Sequence, residues 1–480
     1  MDRPKLDEDG KPRVHRTTPL HSMPTCEREE KIRQLFKIYN KFDLNYADDH
    51  GLTHFHIACI LRFEGIVTEF LEAGQDPNCI YPETGDSALH LIVKKDCSND
   101  VIELLLRKSA NPNLANAEGL TPLHIICKNY SKKIDLVNVI LAQLRQISST
   151  TGRRPRQVRK GADPNVANAE GLTSLHIICK MNYCDEDLVE ILFQLSNELN
   201  HPLQLDVQDE LGNTPLHLLF QFFSKPHHDR VRVQKKTAEL LLRNGANLNC
   251  PSKDGFYPLQ SICRRFKDDD LVEIFFKVCD EIHQSVHLDG QDNVYGKAAL
   301  HWALYSGHKN VTRFLLRRGA NPNLNDSQRS TPLHEICKEK KDEGLAKLLF
   351  EMNDERRRPV QVNAIDDEGR TPLKLAAGSF LPRVVVLLLD YGSDSSDIIF
   401  PATSYFDREH RNMWRRFDKF EIVSGVLAIA ERLEKSGYEL ERSDAEIIMK
   451  YFAEFGVQFR HEHFEEVCVG VGCRCDKGLG

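Results

Sequence analysis

The sequence predicts an all-α solenoid: short helix pairs, joined by hairpin loops and stacked one after another. Three observations predict it. The phrase ANAEGLTPLHIICK at 115–128 returns at 167–180 as ANAEGLTSLHIICK, differing only at Pro122 and Ser174. Degraded copies, counted from their Thr position, start at Thr53, Ser87, Thr121, Thr173, Thr214, Tyr257, Ala298, Thr331 and Thr371. The steps are 34, 34, 52, 41, 43, 41, 33 and 40 residues. Finally, the same punctuation surrounds every copy. A Gly stands two residues before the Thr position in eight of them, with Arg329 in the remaining one. A Gly there suits a turn that needs positive φ. Thr or Ser followed by Pro is a helix start, a capping hydroxyl and then a φ already helical.

Taken in chain order, residues 1–27 are polar with scattered Pro and are expected to form a flexible tail. Residues 28–44 are expected to hold a capping helix, since EREEKIRQLFKIYNKF places Ile32, Leu35 and Phe36 on one stripe. A stack of modules needs such a cap, because its terminal module otherwise leaves an apolar face wet. The array itself is expected over 45–395. In each copy a short apolar helix precedes a second one, as in VIELLL, DLVNVIL, DLVEILF, TAELLL and NVTRFLL. Several second helices run out in GQDPN (74–78), GADPN (161–165), GANLN (245–249) or GANPN (319–323), where Gly stops the helix. Spacing alone leaves open whether the 40–43-residue steps hold longer helices or longer hairpins. Residues 400–467 are expected to be helical, with one helix over 418–437 and another over 443–456 opened by a Ser443/Glu446 capping box. Residues 468–480 are expected to be a flexible Cys-containing tail.

The phrase T-P-L-H, the ~33-residue period and the Gly-stopped helix ends together resemble the ankyrin-repeat family, with about nine repeats. The resemblance implies a helix–turn–helix–hairpin solenoid. Its concave groove, built of first helices and hairpin tips, would bind a partner protein without catalysis. The C-terminal layout resembles the ankyrin proteins of parasitoid wasps and poxviruses, whose F-box-like PRANC region recruits a ubiquitin-ligase adaptor. No Leu-Pro-x-Glu opening of the F-box kind occurs in this tail. A substrate adaptor of a ubiquitin ligase is therefore an alternative reading. An IκB-like inhibitor of a transcription factor is another.

His56, His90, His124, His176, His217, His301 and His334 each fall three residues after the Thr position. Ligands of one ion must all approach within about 2.1 Å, whereas packed helices stand about 8–10 Å apart. Each imidazole is therefore expected to hydrogen-bond its capping Thr and turn backbone, linking repeat to repeat. Gln260 and Lys374 replace His in two copies, and those joints are expected to be looser. Cys59, Cys127, Cys179, Cys263 and Cys337 share one register and read as small core residues rather than disulfides. His461, His463, Cys468, Cys473 and Cys475 depart from paired C-x₂₋₄-C zinc spacing.

Candidate partner contacts follow the first helices, where core residues stop: Lys128, Asn129, Lys180, Met181, Arg264, Arg265, Lys338 and Glu339. Their cations suggest an acidic partner face. Phosphate-loop, dinucleotide, zinc-protease, nucleophile-elbow and EF-hand motifs are all absent, so neither an enzyme nor a cofactor is expected. A net charge of −7 lacks the dense cationic face that nucleic acid needs. No apolar run approaches the ~18 residues of a membrane span, and the opening MDRPKLDEDGKPR has no apolar core of the signal-peptide kind. The expected location is cytoplasmic, and also nuclear if RRPRQVRK (153–160) or ERRRP (355–359) serves as an import signal.

Overall fold

The computed structural model describes residues 15–22, 29–95, 99–128, 162–181, 186–198, 202–221, 228–265, 271–338, 344–379, 381–396, 398, 419–439, 444 and 448. The chain divides into two units, Met1–Gln221 with Pro226–Ser252, and Phe222–Lys225 with Lys253–Gly480.

In the first unit, α1 (Glu29–Ile38) precedes the pairs α2 (His54–Ile60) with α3 (Glu64–Glu72) and α4 (Ala88–Lys94) with α5 (Asn99–Arg107). A small antiparallel hairpin, β1 (Ile80–Tyr81) and β2 (Asp86–Ser87), leads into α4. Next come α6 (Pro122–Lys128), α7 (Ser174–Lys180) with α8 (Glu186–Glu198), and α9 (Pro215–Phe220) with α10 (His228–Arg243). The second helix expected at DLVNVIL after α6 lies outside the described residues. First helices stack in series, α2 on α4, α4 on α6, α6 on α7 and α7 on α9. Second helices stack as α3 on α5 and α8 on α10.

The second unit repeats the plan with α11 (Pro258–Cys263) and α12 (Leu271–Glu281), α13 (Ala299–Tyr305) and α14 (Lys309–Arg318), α15 (Pro332–Lys338) and α16 (Leu345–Asp354), and α17 (Pro372–Gly378) and α18 (Pro382–Asp390). α19 (Lys419–Lys435) packs on α18, burying Val426, Ile429, Ala430 and Leu433. Gly437 follows it at φ +95, a left-handed stop. The other C-terminal helix, over 443–456, and the Cys/His tail fall outside the described residues, apart from positions 444 and 448.

The nine first helices start where the Thr pattern places them. Thr53 and Thr173 accept a hydrogen bond from the backbone N–H three residues on, at 3.2 and 3.5 Å. The cap satisfies a helix-end donor that would otherwise be buried unpaired. The preceding Gly is required twice over, as Gly119 shows. Its φ is +73, and a Cβ would lie 2.5 Å from the backbone nitrogen of Ala169 in the next turn. Arg329 adopts the same left-handed backbone at φ +57. The motif therefore sets the turn even where Gly is missing.

The long steps draw on both sources that spacing left open. α8 has 13 residues and α10 has 16, against 9 each in α3 and α5. In other copies the hairpin segment grows: residues 319–330 separate the second helix from the next Thr position in the 33-residue copy, but residues 355–370 do so in the 40-residue copy.

The N-terminal segment departs from expectation. Within the tail expected to be flexible, residues 15–22 lie against the first module. Arg16 N–H donates to Ala47 O at 2.8 Å, Thr18 Oγ1 lies 2.7 Å from His54 Nε2, and Leu20 is buried. Leu20 is a single apolar residue in a polar stretch, too weak a periodic signal to predict docking. α1 buries Ile32 and Phe36, with Phe36 meeting Phe63 and Phe70 edge-on at 6.0 and 6.5 Å.

Candidate functional site

Two hydrogen-bond ladders join the modules and hold the faces of the first helices in place. The first is made of the repeated histidines. Thr121 N–H donates to His124 Nδ1 at 3.0 Å, so Nδ1 carries no proton, and Nε2–H donates across the module boundary to Leu172 O at 3.1 Å. The same bridge runs from His90 to Leu120 O, His176 to Asn213 O, His301 to Ser330 O and His334 to Arg370 O. His56 makes its bridge to Cys79 O instead. His217 takes the Thr214 N–H at 3.0 Å. Burial holds these rings neutral. Desolvation lowers the pKa of His124 to about 4, and those of His56, His90, His176, His301 and His334 fall below the usual imidazole value for the same reason.

The joint expected to be looser at Gln260 is not. Gln260 Oε1 accepts from Tyr257 N–H at 2.8 Å, and Nε2 donates to Gly290 O and Lys297 O, both at 2.8 Å. An amide carries one acceptor and two donors, so it reproduces both roles of the imidazole and adds a second cross-module bond. At the other exception, Lys374, Thr371 Oγ1 still accepts from the Lys374 N–H at 3.3 Å.

The second ladder is made by an Asn at the start of the hairpin, with Asp206 and Asp289 in its place at two joints, a role the sequence reading did not assign. Asn323 Oδ1 accepts from Gln361 N–H at 2.8 Å while its Nδ2 donates to Pro359 O at 2.8 Å. Asn78 with Asn111 and Asn165 with Gln204 repeat the acceptor bond. The Pro-Asn that recurs at 77–78, 112–113, 164–165 and 322–323 was the available signal.

A cleft of about 750 Å³ opens in the second unit, lined by Arg264, Lys297, Trp302, Tyr305, Asp326 and Gln328 among others. Trp302 is its floor. The register explains why: Trp302 stands four residues after the cap, where the sister repeats place Ile125, Ile177 and Leu218. The indole Nε1–H donates to the buried Asp292 carboxylate at 3.0 Å, and that carboxylate also accepts from Val294 and Tyr295 N–H at 3.1 and 2.6 Å. One buried anion thus sets both the indole and the hairpin tip. Tyr295 and Tyr305 meet Trp302 edge-on at 5.5 and 5.9 Å, and each leaves about half its surface in solvent. The Arg264 guanidinium stacks over Trp302 at 4.5 Å and Phe256 at 4.7 Å. Lys297 Nζ lies over Trp302 and Tyr305 and pairs with the buried Glu335 at 2.8 Å.

Of the contacts predicted from sequence, the structure brings Arg264 and Arg265 together at this cleft. Arg265 is buried rather than a surface contact, and its carbonyl accepts from His308 Nε2–H. Lys338 is half-buried, its Nζ 2.8 Å from Ser330 Oγ and 3.5 Å from Glu335. Lys128 and Lys180 are exposed and pair loosely with Glu118 and Glu170 of their own turns, at 3.9 and 3.8 Å. Met181 is half-buried next to Lys180. Asn129 and Glu339 lie outside the described residues. Sequence reasoning missed Trp302, Tyr295, Tyr305 and Lys297. Only two Trp occur in the chain, and one of them in the register where the sister repeats carry Ile or Leu was the signal.

The register cysteines Cys59, Cys127, Cys179, Cys263 and Cys337 are free and buried. Burial pushes the thiols of Cys59 and Cys263 well up, away from the reactive thiolate. Among the described residues no group of three or more His, Cys, Asp or Glu is placed to hold a metal. No described helix is long and apolar enough to cross a membrane.

The fold is the ankyrin-repeat fold. A family model for ankyrin repeats (3 copies) matches residues 62–151 and 230–326. The chain is 26% identical over 327 residues to mouse Rabankyrin-5, covering 64% of this chain and 26% of that protein. It is 23% identical over 333 residues to the E3 ubiquitin-protein ligase KEG of Arabidopsis thaliana, covering 68% of this chain and 18% of that protein. The chain therefore spans about a quarter or less of the length of these relatives. Among solved structures, the ankyrin repeat domain of Bcl-3 matches with a TM-score of 0.38 and 18% identity, over 57% of this chain and 99% of that one.

Proposed function

We propose that this protein is a non-catalytic scaffold that binds a partner protein on the faces of its first helices and on its hairpin tips. Ankyrin repeats point to protein–protein interaction, and the Trp302 cleft is the observation that carries the reading to a place on this chain. An aromatic floor with half-exposed Tyr295 and Tyr305 at its rim has the make-up of an interface core, where aromatic and Arg side chains supply most of the binding energy. Both ladders hold that surface rigid before any partner arrives, which lowers the entropy cost of binding.

Proximity labelling from the full-length chain tests this. A discrete set of labelled proteins should disappear when Tyr295 and Tyr305 are both changed to Ala. An unchanged set would reject the cleft as the contact surface, and no specific set at all would reject the scaffold reading.

A ligase-adaptor role is the alternative, with α19 (Lys419–Lys435) lying inside the 400–467 segment that would dock the ligase. KEG, whose name identifies it as an E3 ubiquitin-protein ligase, shares the repeat region. Co-purification with a ligase adaptor subunit, lost on truncation at residue 400, is its test. An IκB-like inhibitor covering a basic import signal fits less well, because Arg264 and Lys297 line the cleft.

A further inference from the structure

The Trp302 cleft combines aromatic surface with cations that lack a full set of anions. The Arg264 guanidinium carbon lies over the rings of Trp302 and Phe256, 4.5 and 4.7 Å from their centres, with no carboxylate partner among the described residues. A guanidinium held over aromatic rings keeps N–H donors with which to meet an oxyanion. Close by, Lys297 and Lys338 share a single carboxylate, Glu335, at 2.8 and 3.5 Å. The acidic groups in the walls are already engaged. Asp292 holds the indole N–H and the hairpin tip, and Asp326 accepts from Gln328 and Ser330 N–H at 2.8 Å each. Among the described residues the cleft therefore presents an excess of cation beside Val294, Tyr295 and Tyr305, each about half exposed.

We propose that this cleft binds an acidic linear segment of a partner protein, with an Asp or Glu carboxylate on the Arg264 edge and a neighbouring apolar side chain between Tyr295 and Tyr305. The proposal rests on the scaffold reading and names the chemistry of its partner. A carboxylate segment fits better than single-stranded nucleic acid, which also uses cations and aromatic stacking. The side-chain cations here are few, Arg264 with Lys297 and Lys338, and the last two already face Glu335, so the cleft lacks the continuous cationic track that a run of phosphates needs.

Trp302 is a built-in reporter. The chain has two tryptophans, so Trp414→Phe leaves Trp302 as the sole emitter in the full-length protein. The probes are blocked nonapeptides of three Glu-Glu-Phe units, their Gln-Gln-Phe and Lys-Lys-Phe counterparts, and a twelve-residue thymidylate strand. Expected is a saturable change in Trp302 emission with the Glu peptide alone, weakened at least tenfold by Arg264→Gln and also weakened by added salt. Gln328→Glu, an exposed change on the rim, should weaken it as well and serves if Arg264→Gln disturbs folding. Equal responses to the Gln or Lys peptides, saturation by the thymidylate strand, or indifference to both substitutions would each overturn the proposal. If the Glu peptide fails while Tyr295 and Tyr305 still govern the proximity-labelled set, the acidic-segment proposal falls and the scaffold reading stands.

Discussion

At the scale of single residues, the repeated histidine is a structural joint whose neutrality is part of its function. Nδ1 of His124 faces a backbone N–H, so a proton on that nitrogen would place two donors against each other. The native pKa lies below the unfolded value of about 6.5, so the unfolded chain takes up protons first as pH falls. This contribution to stability is complete above about pH 6.5 and drains away below it, down to about pH 4 for His124. His124 should remove roughly 1.4 kcal/mol per pH unit in that window, and the other bridging rings act in the same direction. Urea midpoints measured from pH 7.5 to pH 5 should fall steeply, and a flat profile would mean that the rings titrate freely in the native state. Arg329 makes the opposite prediction. A non-Gly residue in the left-handed region costs about 1–2 kcal/mol, and Arg329 stands at φ +57 with only a loose, exposed ion pair to Asp367 at 4.0 Å. Arg329→Gly should raise stability by about 1 kcal/mol, read as an increase in melting temperature. The histidines were legible in the sequence because repetition set their spacing. Gln260 was not, since an amide resembles an imidazole only once its two acceptors, Gly290 O and Lys297 O, are in place. Trp302 escaped for a related reason: a repeat pattern draws attention to what recurs, whereas binding residues are those that do not.

At the scale of elements, each first helix was legible from its cap and each left-handed turn from its Gly, because those signals are local. Docking of residues 15–22 and the reach of the hairpin Asn depend on partners distant in sequence, and neither leaves a periodic trace. The Asn ladder can be tested one rung at a time. Asn323→Ala removes two exposed cross-module hydrogen bonds and should cost about 1 kcal/mol in denaturant midpoint. α19 bears more. Leu433 is fully buried where α19 meets α18, so Leu433→Asp leaves a carboxylate without water and should cost at least about 3 kcal/mol. Differential scanning calorimetry should then show a lower melting transition, and an unchanged one would mean that α19 is not a structural cover for the last repeat.

At the scale of the molecule, the proposed function divides stability and recognition between different sides of the same module. The ladders and the cores tie each unit together and consume the repeated residues, leaving the non-repeated ones on first helices and tips to meet a partner. Photo-crosslinking of the full-length chain in cells addresses this division. Benzoylphenylalanine at Tyr305, on a first helix beside the cleft, is compared with the same group at Lys347, exposed on second helix α16 of the same unit. Discrete covalent adducts with another protein should form from position 305 and not from position 347. Adducts of equal yield from both positions, or from position 347 alone, would show that the partner does not sit on the face of the first helices.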